Sequence, residues 1–270
     1  MAQLIPIVGS LIILRIFSAS AFGFFSAWYG IVAIVAIAIT FRFETSFPQE
    51  RDGKDREVMV LGTIANTLFV FLCLLIAFLS LSLLFGIEAF LRSFNFLLLG
   101  LFASFLLSLF QIYQSWLASN GEYNKLNVLR IVNAFNITAL QIIFGIFSTS
   151  AISLAIAFCI AGIFTFLVSL YLCKFRHLSF QDVKICLQKL WAKHNRFPKY
   201  SLPADFINTS AIQLPIIISS FKYSDELAGF LALTFRILGA PIGLIGKSLL
   251  DVFKRYAAQD YINNGNCIKI

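Results

Sequence analysis

The chain has 270 residues, of which 59% are hydrophobic and only 13% charged, with a mean hydropathy of +0.87. A soluble domain carries about 25% charged residues, so this composition excludes an ordinary water-soluble fold and places the chain in a bilayer. The net charge of +8 is that of a nucleic-acid binder, but the basic residues lie in loops between apolar runs, the distribution of a membrane protein's inner face. No nucleic-acid partner is expected.

Taken in order, residues 1–14 are apolar but reach only about 21 Å as a helix, short of the roughly 30 Å hydrocarbon core. The reading is a re-entrant helix or one whose beginning is missing. Arg15 closes it. A second span is predicted over 21–41, ending in Arg42-Phe43-Glu44, and the dense charge of 48–57 (PQERDGKDRE) requires a solvated loop. Uncharged runs predict a third span over 58–87 and a fourth over 93–121, with Glu88 and Arg92 in the loop between. Residues 131–173 hold no charge. As one helix they would be about 65 Å long, twice the core, so they must be two, with the break at 147–150.

Residues 178–197 differ. Phe180, Val183, Leu187, Leu190 and Trp191 recur at helical spacing opposite Asp182, Lys184, Lys189 and Lys193, predicting a basic amphipathic helix on the membrane surface. Two more spans follow within 200–253, joined by a polar hairpin at 222–226 and interrupted by Pro203, Pro215 and Pro241, before a polar tail at 259–270.

The expected architecture is an all-α integral membrane protein of about eight transmembrane helices. It divides into a six-helix bundle (1–173), a basic cytoplasmic linker (174–199), and the first two helices of a second bundle with a tail (200–270). With the N-terminus inside, sixteen basic residues fall on the cytoplasmic side and only Arg92 and Lys222 opposite, which sets the orientation.

No Walker loop, HExxH, GxSxG or GxGxxG is present, so neither an enzyme nor a cofactor is expected. The five cysteines have no CxxC spacing and read as single buried thiols, without metal use. His177 and His194 fall in the linker and read as surface residues. What remains is charge within or beside spans. A mid-membrane charge costs at least about 2.5–3.5 kcal/mol and normally faces a bundle interior or wet cavity. Arg236, about 15 Å from its loop, is the strongest candidate, a substrate-binding cation. Arg15, Arg42 and Lys247 are further candidates for substrate binding, and Asp205 and Glu44 for coupling a proton or sodium ion. Each has a plainer reading: Arg42 with Glu44 as an interfacial pair, Asp205 as partner to a neighbouring cation, Lys247 with Asp251 as an i,i+4 pair.

Several stretches resemble one family. They are Arg42-Phe43-Glu44, FPKYSLPADFIN at 197–208, QLPIIISS at 213–220, and LAGFLALTFRILGAPIGLIGKSLLDVF at 227–253 followed by RYAA. AQLI, Arg15 and AFGFFSAW at 21–28 are similar too. These resemble the polysaccharide flippases of the multidrug/oligosaccharidyl-lipid/polysaccharide exporter superfamily. The resemblance implies transfer of undecaprenyl-pyrophosphate-linked oligosaccharide from the cytoplasmic to the periplasmic leaflet by alternating access, through a cationic cavity between two pseudo-symmetric bundles. It implies a bacterial inner-membrane location, a part in surface polysaccharide (O-antigen, capsule or exopolysaccharide) synthesis, and polysaccharide assembly proteins as partners. The family pattern has six helices where this chain has two after the linker. The expectation is therefore a separate polypeptide supplying about four helices, without which the chain should not transport. A drug or small-cation exporter of the same superfamily, or a non-functional truncated remnant, are the alternatives.

Overall fold

The computed structural model describes residues 4–51, 53–84, 87–173 and 183–264. Among these every element is helical, and no strand occurs. α1 (Leu4–Ile16) is 13 residues, about 20 Å, shorter than the roughly 30 Å hydrocarbon core. Its successor α2 (Ala19–Thr40) starts where the Ser18 hydroxyl accepts a hydrogen bond from the Ala21 amide, an N-cap that satisfies one orphan donor. Then come a 3-10 turn (Phe43–Gln49), α3 (Lys54–Leu84), α4 (Ile87–Ser119), α5 (Tyr123–Phe147) and α6 (Ala151–Leu172). The break between α5 and α6 lies at the expected place. Ser150 caps α6 by accepting from the Ser153 amide. After the linker helix α7 (Val183–His194), a π-helical turn (Phe197–Ser201) leads into α8 (Leu202–Lys222) and α9 (Asp225–Asn264).

Among the described residues, five helices are long and apolar enough to cross a membrane: Ala19–Thr40, Lys54–Ser82, Asn95–Ser119, Tyr123–Phe147 and Ala151–Leu172. The chain therefore looks like a multi-pass membrane protein. α8 is not among them, because Asp205, Asn208, Gln213 and Lys222 dilute its apolar run.

Several boundaries differ from the sequence expectation. α5 begins at Tyr123, not near 131, because its charges are matched: Lys125 pairs with Glu122 at 2.9 Å, and Arg130 Nε donates to Gln114 Oε1 of α4 at 2.9 Å. α4 likewise carries Glu88 and Arg92 within the helix. Pro203 sits in the first turn of α8, where its missing N–H is an orphan in any case. Neither Pro215 nor Pro241 ends its helix. α9 runs on through the polar stretch to Asn264, and 265–270 lie outside the described residues.

Two apolar clusters hold the helices. One packs Ile13, Phe22, Phe25, Trp28, Leu106 and Phe158, tying α1 and α2 to α4 and α6. The other gathers Phe43, Phe47, Met59, Ile112, Leu129 and Leu190, around the 3-10 turn. α8 and α9 lie against α2 along a face of small residues. A methyl group on Gly23 would overlap the Asp225 carbonyl, and one on Gly229 the Ala19 carbonyl, so α2 and α9 cross backbone to backbone. Ala27, one turn on, is buried with Ile216 and Ala228, and a methyl on Gly30 would meet Gln213 and Ile217 of α8 at 3.2–3.3 Å. In hydrocarbon such close approach supplies the packing energy that burial supplies in water.

The linker helix α7 uses its apolar stripe on protein instead of lipid. Cys186 and Leu190 are buried against α3, where Gly62 leaves room for the Cys186 carbonyl. Trp191 packs on the rings of Phe41 and Phe43 (centroids 5.7 and 5.1 Å), and its Nε1 donates to Asn66 Oδ1 at 3.1 Å. Contrary to a surface reading, His194 is 4% exposed, with Nε2 2.6 Å from Glu50 Oε1, while Lys193 Nζ donates to Glu50 Oε2 at 2.7 Å. Burial raises the Glu50 pKa, but these two partners outweigh it and hold the carboxyl below its usual range. Arg56 secures the same loop, donating to the carbonyls of Phe47, Glu50 and Ser119. Phe180, Asp182 and the rest of 174–182 lie outside the described residues.

Candidate functional site

The site lies where α2 meets α8. α2 ends in two consecutive left-handed residues, Phe41 (φ 52°) and Arg42 (φ 59°), a strained reversal for side chains with a Cβ. The reversal turns Arg42 back over its own helix end. The side chain then bridges two carboxylates: Nε donates to Asp205 Oδ2 at 2.6 Å, and Nη1 to Glu44 Oε1 at 3.0 Å. Asp205 is in the first turn of α8, and its side chain is about one-third exposed. Glu44 is 1% exposed. Burial pushes its pKa above the usual carboxylate range, against the pull of Arg42 and hydrogen bonds within the turn. Glu44 Oε2 is buried without a hydrogen-bond partner, the geometry of a carboxyl that can hold a proton there.

One turn deeper on α8 lies Thr209, which lines a cavity of about 280 Å³ enclosed by α2, α4, α5, α6 and α8. Its other polar lining comes from Gln111 and Gln114 of α4, Asn133 of α5 and Thr165 of α6; Tyr29 of α2 and Phe158 line it deeper in. Gln114 is oriented by Arg130. Gln111 Oε1 is buried without a protein partner, which costs about 1–3 kcal/mol unless a ligand or water meets it. The ion pair between Arg42 and Asp205 thus spans α2 and α8 one helical turn from a cavity that carries amide and hydroxyl groups among its apolar walls.

Arg236 sits about 17 Å along α9 from Asp225. Its guanidinium carbon is 5.9 Å from the Phe22 ring of α2, and its charge acts on the phenol of Tyr29, at the deep end of the cavity. The fold therefore brings Arg42, Glu44 and Asp205 into one cluster and sets Arg236 of α9 against α2, the helix whose end carries Arg42. Arg15 is exposed in the last turn of α1 and has no hydrogen bond or ion pair among the described residues. Lys247 belongs to α9, but its side chain, like that of Asp251, lies outside the described residues. Sequence reasoning missed the amides of the cavity. The signal was there: Gln111 and Gln114 stand three apart in an otherwise apolar run, on one helical face.

No family model, curated protein or solved structure matches the chain.

Proposed function

We propose that this chain is a membrane transporter of the polysaccharide-flippase type and not an enzyme. It takes undecaprenyl-pyrophosphate-linked oligosaccharide from the cytoplasmic to the periplasmic leaflet of a bacterial inner membrane, with its N-terminus cytoplasmic and α1, α8 and α9 completing eight spans. The observation that carries the reading is a cavity with amide and hydroxyl groups in its lining, one helical turn along α8 from the Arg42–Asp205 ion pair that joins α2 to α8. A site inside the bilayer needs polar groups, a way in, and a closure that can break without unpacking the bundle. Among the described residues the ionic contact joining α2 to α8 is one partly exposed pair, so breaking that contact costs little.

Glu44 gives Arg42 a second acceptor. A proton leaving Glu44 strengthens its hold on the guanidinium and loosens Asp205, linking ion movement to the separation of α8 from α2. Arg236 supplies the cation for an anionic pyrophosphate, as a fork that can donate to it bidentately. Both carboxylates of the cluster are engaged by Arg42, which disfavours a cation exporter, whose site requires surplus acid. The test replaces the chromosomal gene in its native locus, so that any partner polypeptide remains present. The wild-type sequence supports surface polysaccharide, and Arg236→Ala abolishes it at equal membrane abundance. Unimpaired polysaccharide in the alanine strain removes Arg236 from the site.

A further inference from the structure

We infer that Trp191 of the linker helix is a positioning residue for Arg42, holding the left-handed reversal at the end of α2 in the shape that brings Arg42 to Asp205. The inference rests on the transporter reading for its meaning and on the geometry of the reversal for its test. Phe41 and Arg42 both sit at positive φ, a region that side chains with a Cβ populate rarely and keep only where their surroundings impose it. Hydrogen bonds inside the turn satisfy the peptide groups: the Arg42 amide donates to Thr40 Oγ1 at 3.2 Å, and Thr45 Oγ1 donates to the Arg42 carbonyl at 2.6 Å. They do not fix the rings on either side. Phe43, after Arg42, is fully buried in the cluster around the 3-10 turn. Phe41, before it, is only partly buried. The Trp191 ring meets both edge-on, with centroids 5.7 Å from Phe41 and 5.1 Å from Phe43, while those two rings lie 6.5 Å apart. Such pairs are favourable beyond the area they bury. The indole thus ties the looser side of the reversal to its fixed side.

Trp191 can do this because its own helix is fastened on two sides. Its Nε1 donates to Asn66 of α3, and Lys193 and His194 hold Glu50, the residue that closes the 3-10 turn. His194 in turn packs on Phe197, ring centroids 5.6 Å apart, where the π-helical turn into α8 begins. Asp205 follows in the first turn of α8. α7 therefore reaches both partners of the ion pair, Arg42 through the aromatic rings and Asp205 through the chain. Trp191 is itself 40% exposed, so its contact can be made and broken without opening the core. Undocking of α7 would then release Arg42 from Asp205.

The experiment measures how fast a hydrophilic methanethiosulfonate reagent modifies the full chain in detergent, carrying Thr209→Cys with Cys73 and Cys267 replaced by Ser. Peptide mass spectrometry follows each cysteine separately. Trp191→Ala should raise the rate at position 209 threefold or more. Trp191→Phe, which keeps a ring against Phe41 and Phe43, should stay within twofold of the parent. Added to Asp205→Asn, Trp191→Ala should change the rate by less than twofold, because both substitutions break one contact. Glu50→Gln loosens the anchor of α7 and leaves Trp191 in place; it should also speed modification, and it decides if Trp191→Ala fails to fold. The assignment is overturned if folded Trp191→Ala leaves the rate unchanged, if Trp191→Phe reacts as fast as Trp191→Ala, or if the effect multiplies with Asp205→Asn. It is equally overturned if Cys159, buried in the other apolar cluster, becomes reactive as well, the result of general loosening. No substrate enters this test. The expected rates together with intact surface polysaccharide in Arg236→Ala would refute the flippase reading alone. An unchanged rate together with polysaccharide lost in Arg236→Ala would refute this assignment alone.

Discussion

Replacing Asp205 by Asn keeps the size of the side chain and removes the charge that holds Arg42 across α2 and α8. The contact is short, 2.6 Å, but the two side chains are 20% and 33% exposed, so solvent screens it. Its worth is about 1 kcal/mol, far below the cost of breaking a fully buried pair. That free energy raises the population of the open arrangement about fivefold. Thr209, one turn deeper, reports on it. In a Thr209→Cys variant, Cys159, Cys173 and Cys186 are buried and can remain, so only Cys73 and Cys267 need replacing by Ser. A hydrophilic methanethiosulfonate reagent, applied to protein in detergent, should modify Cys at 209 about five times faster when Asp205→Asn is added. An unchanged or slower rate would show that the ion pair does not close the cavity.

Other expectations concern packing and titration. Gly229→Val should lower resistance to SDS unfolding by about 1–3 kcal/mol, because two backbones meet there and no rotamer relieves the overlap. Gly239→Ala, where a methyl meets nothing, should change it by less than about 1 kcal/mol and in the stabilising direction. Glu44 has a raised folded-state pKa, so its stabilising contribution is complete below the ordinary value of 4.5 and is lost as pH rises through the raised value. Unfolding midpoints measured from pH 4.5 upward should fall for the wild type more than for Glu44→Gln. For Glu50 the sign is opposite: its pKa is depressed, so its contribution stands above 4.5 and disappears as pH falls below that. Emission from Trp191, taken as the difference from Trp191→Phe, should therefore shift to the red on acidification, and Glu50→Gln should show the shift already at neutral pH.

Much of the helical layout was legible in the sequence because the length of a charge-free run limits how many helices it can hold. The pause at Ser148–Ser150 follows from a run too long for one helix, and Arg42, Glu44 and Asp205 stood out as charges within or at the edges of expected spans. What the sequence hid was pairing. Arg130 reads as a loop residue until Gln114 of another helix is known to accept from it, and only then can α5 begin eight residues earlier. The apolar stripe of α7 has the same pattern whether it meets lipid or α3; Gly62 and Asn66, which receive it, lie more than a hundred residues away. The small-residue face Gly23, Ala27 and Gly30 was readable at helical spacing, but not which helix it would accept. Arg15 and Arg236 look alike as charges in apolar surroundings, yet only Arg236 lies beside α2 and the cavity.

Equilibrium binding to the nanodisc-embedded chain measures directly whether the site accepts a lipid-linked sugar. Native mass spectrometry with undecaprenyl-pyrophosphate-linked oligosaccharide should show saturable binding. Arg236→Ala should weaken it tenfold or more, and a lipophilic cation such as tetraphenylphosphonium should not compete. Absence of saturable binding, or binding of equal strength in Arg236→Ala, would contradict the account.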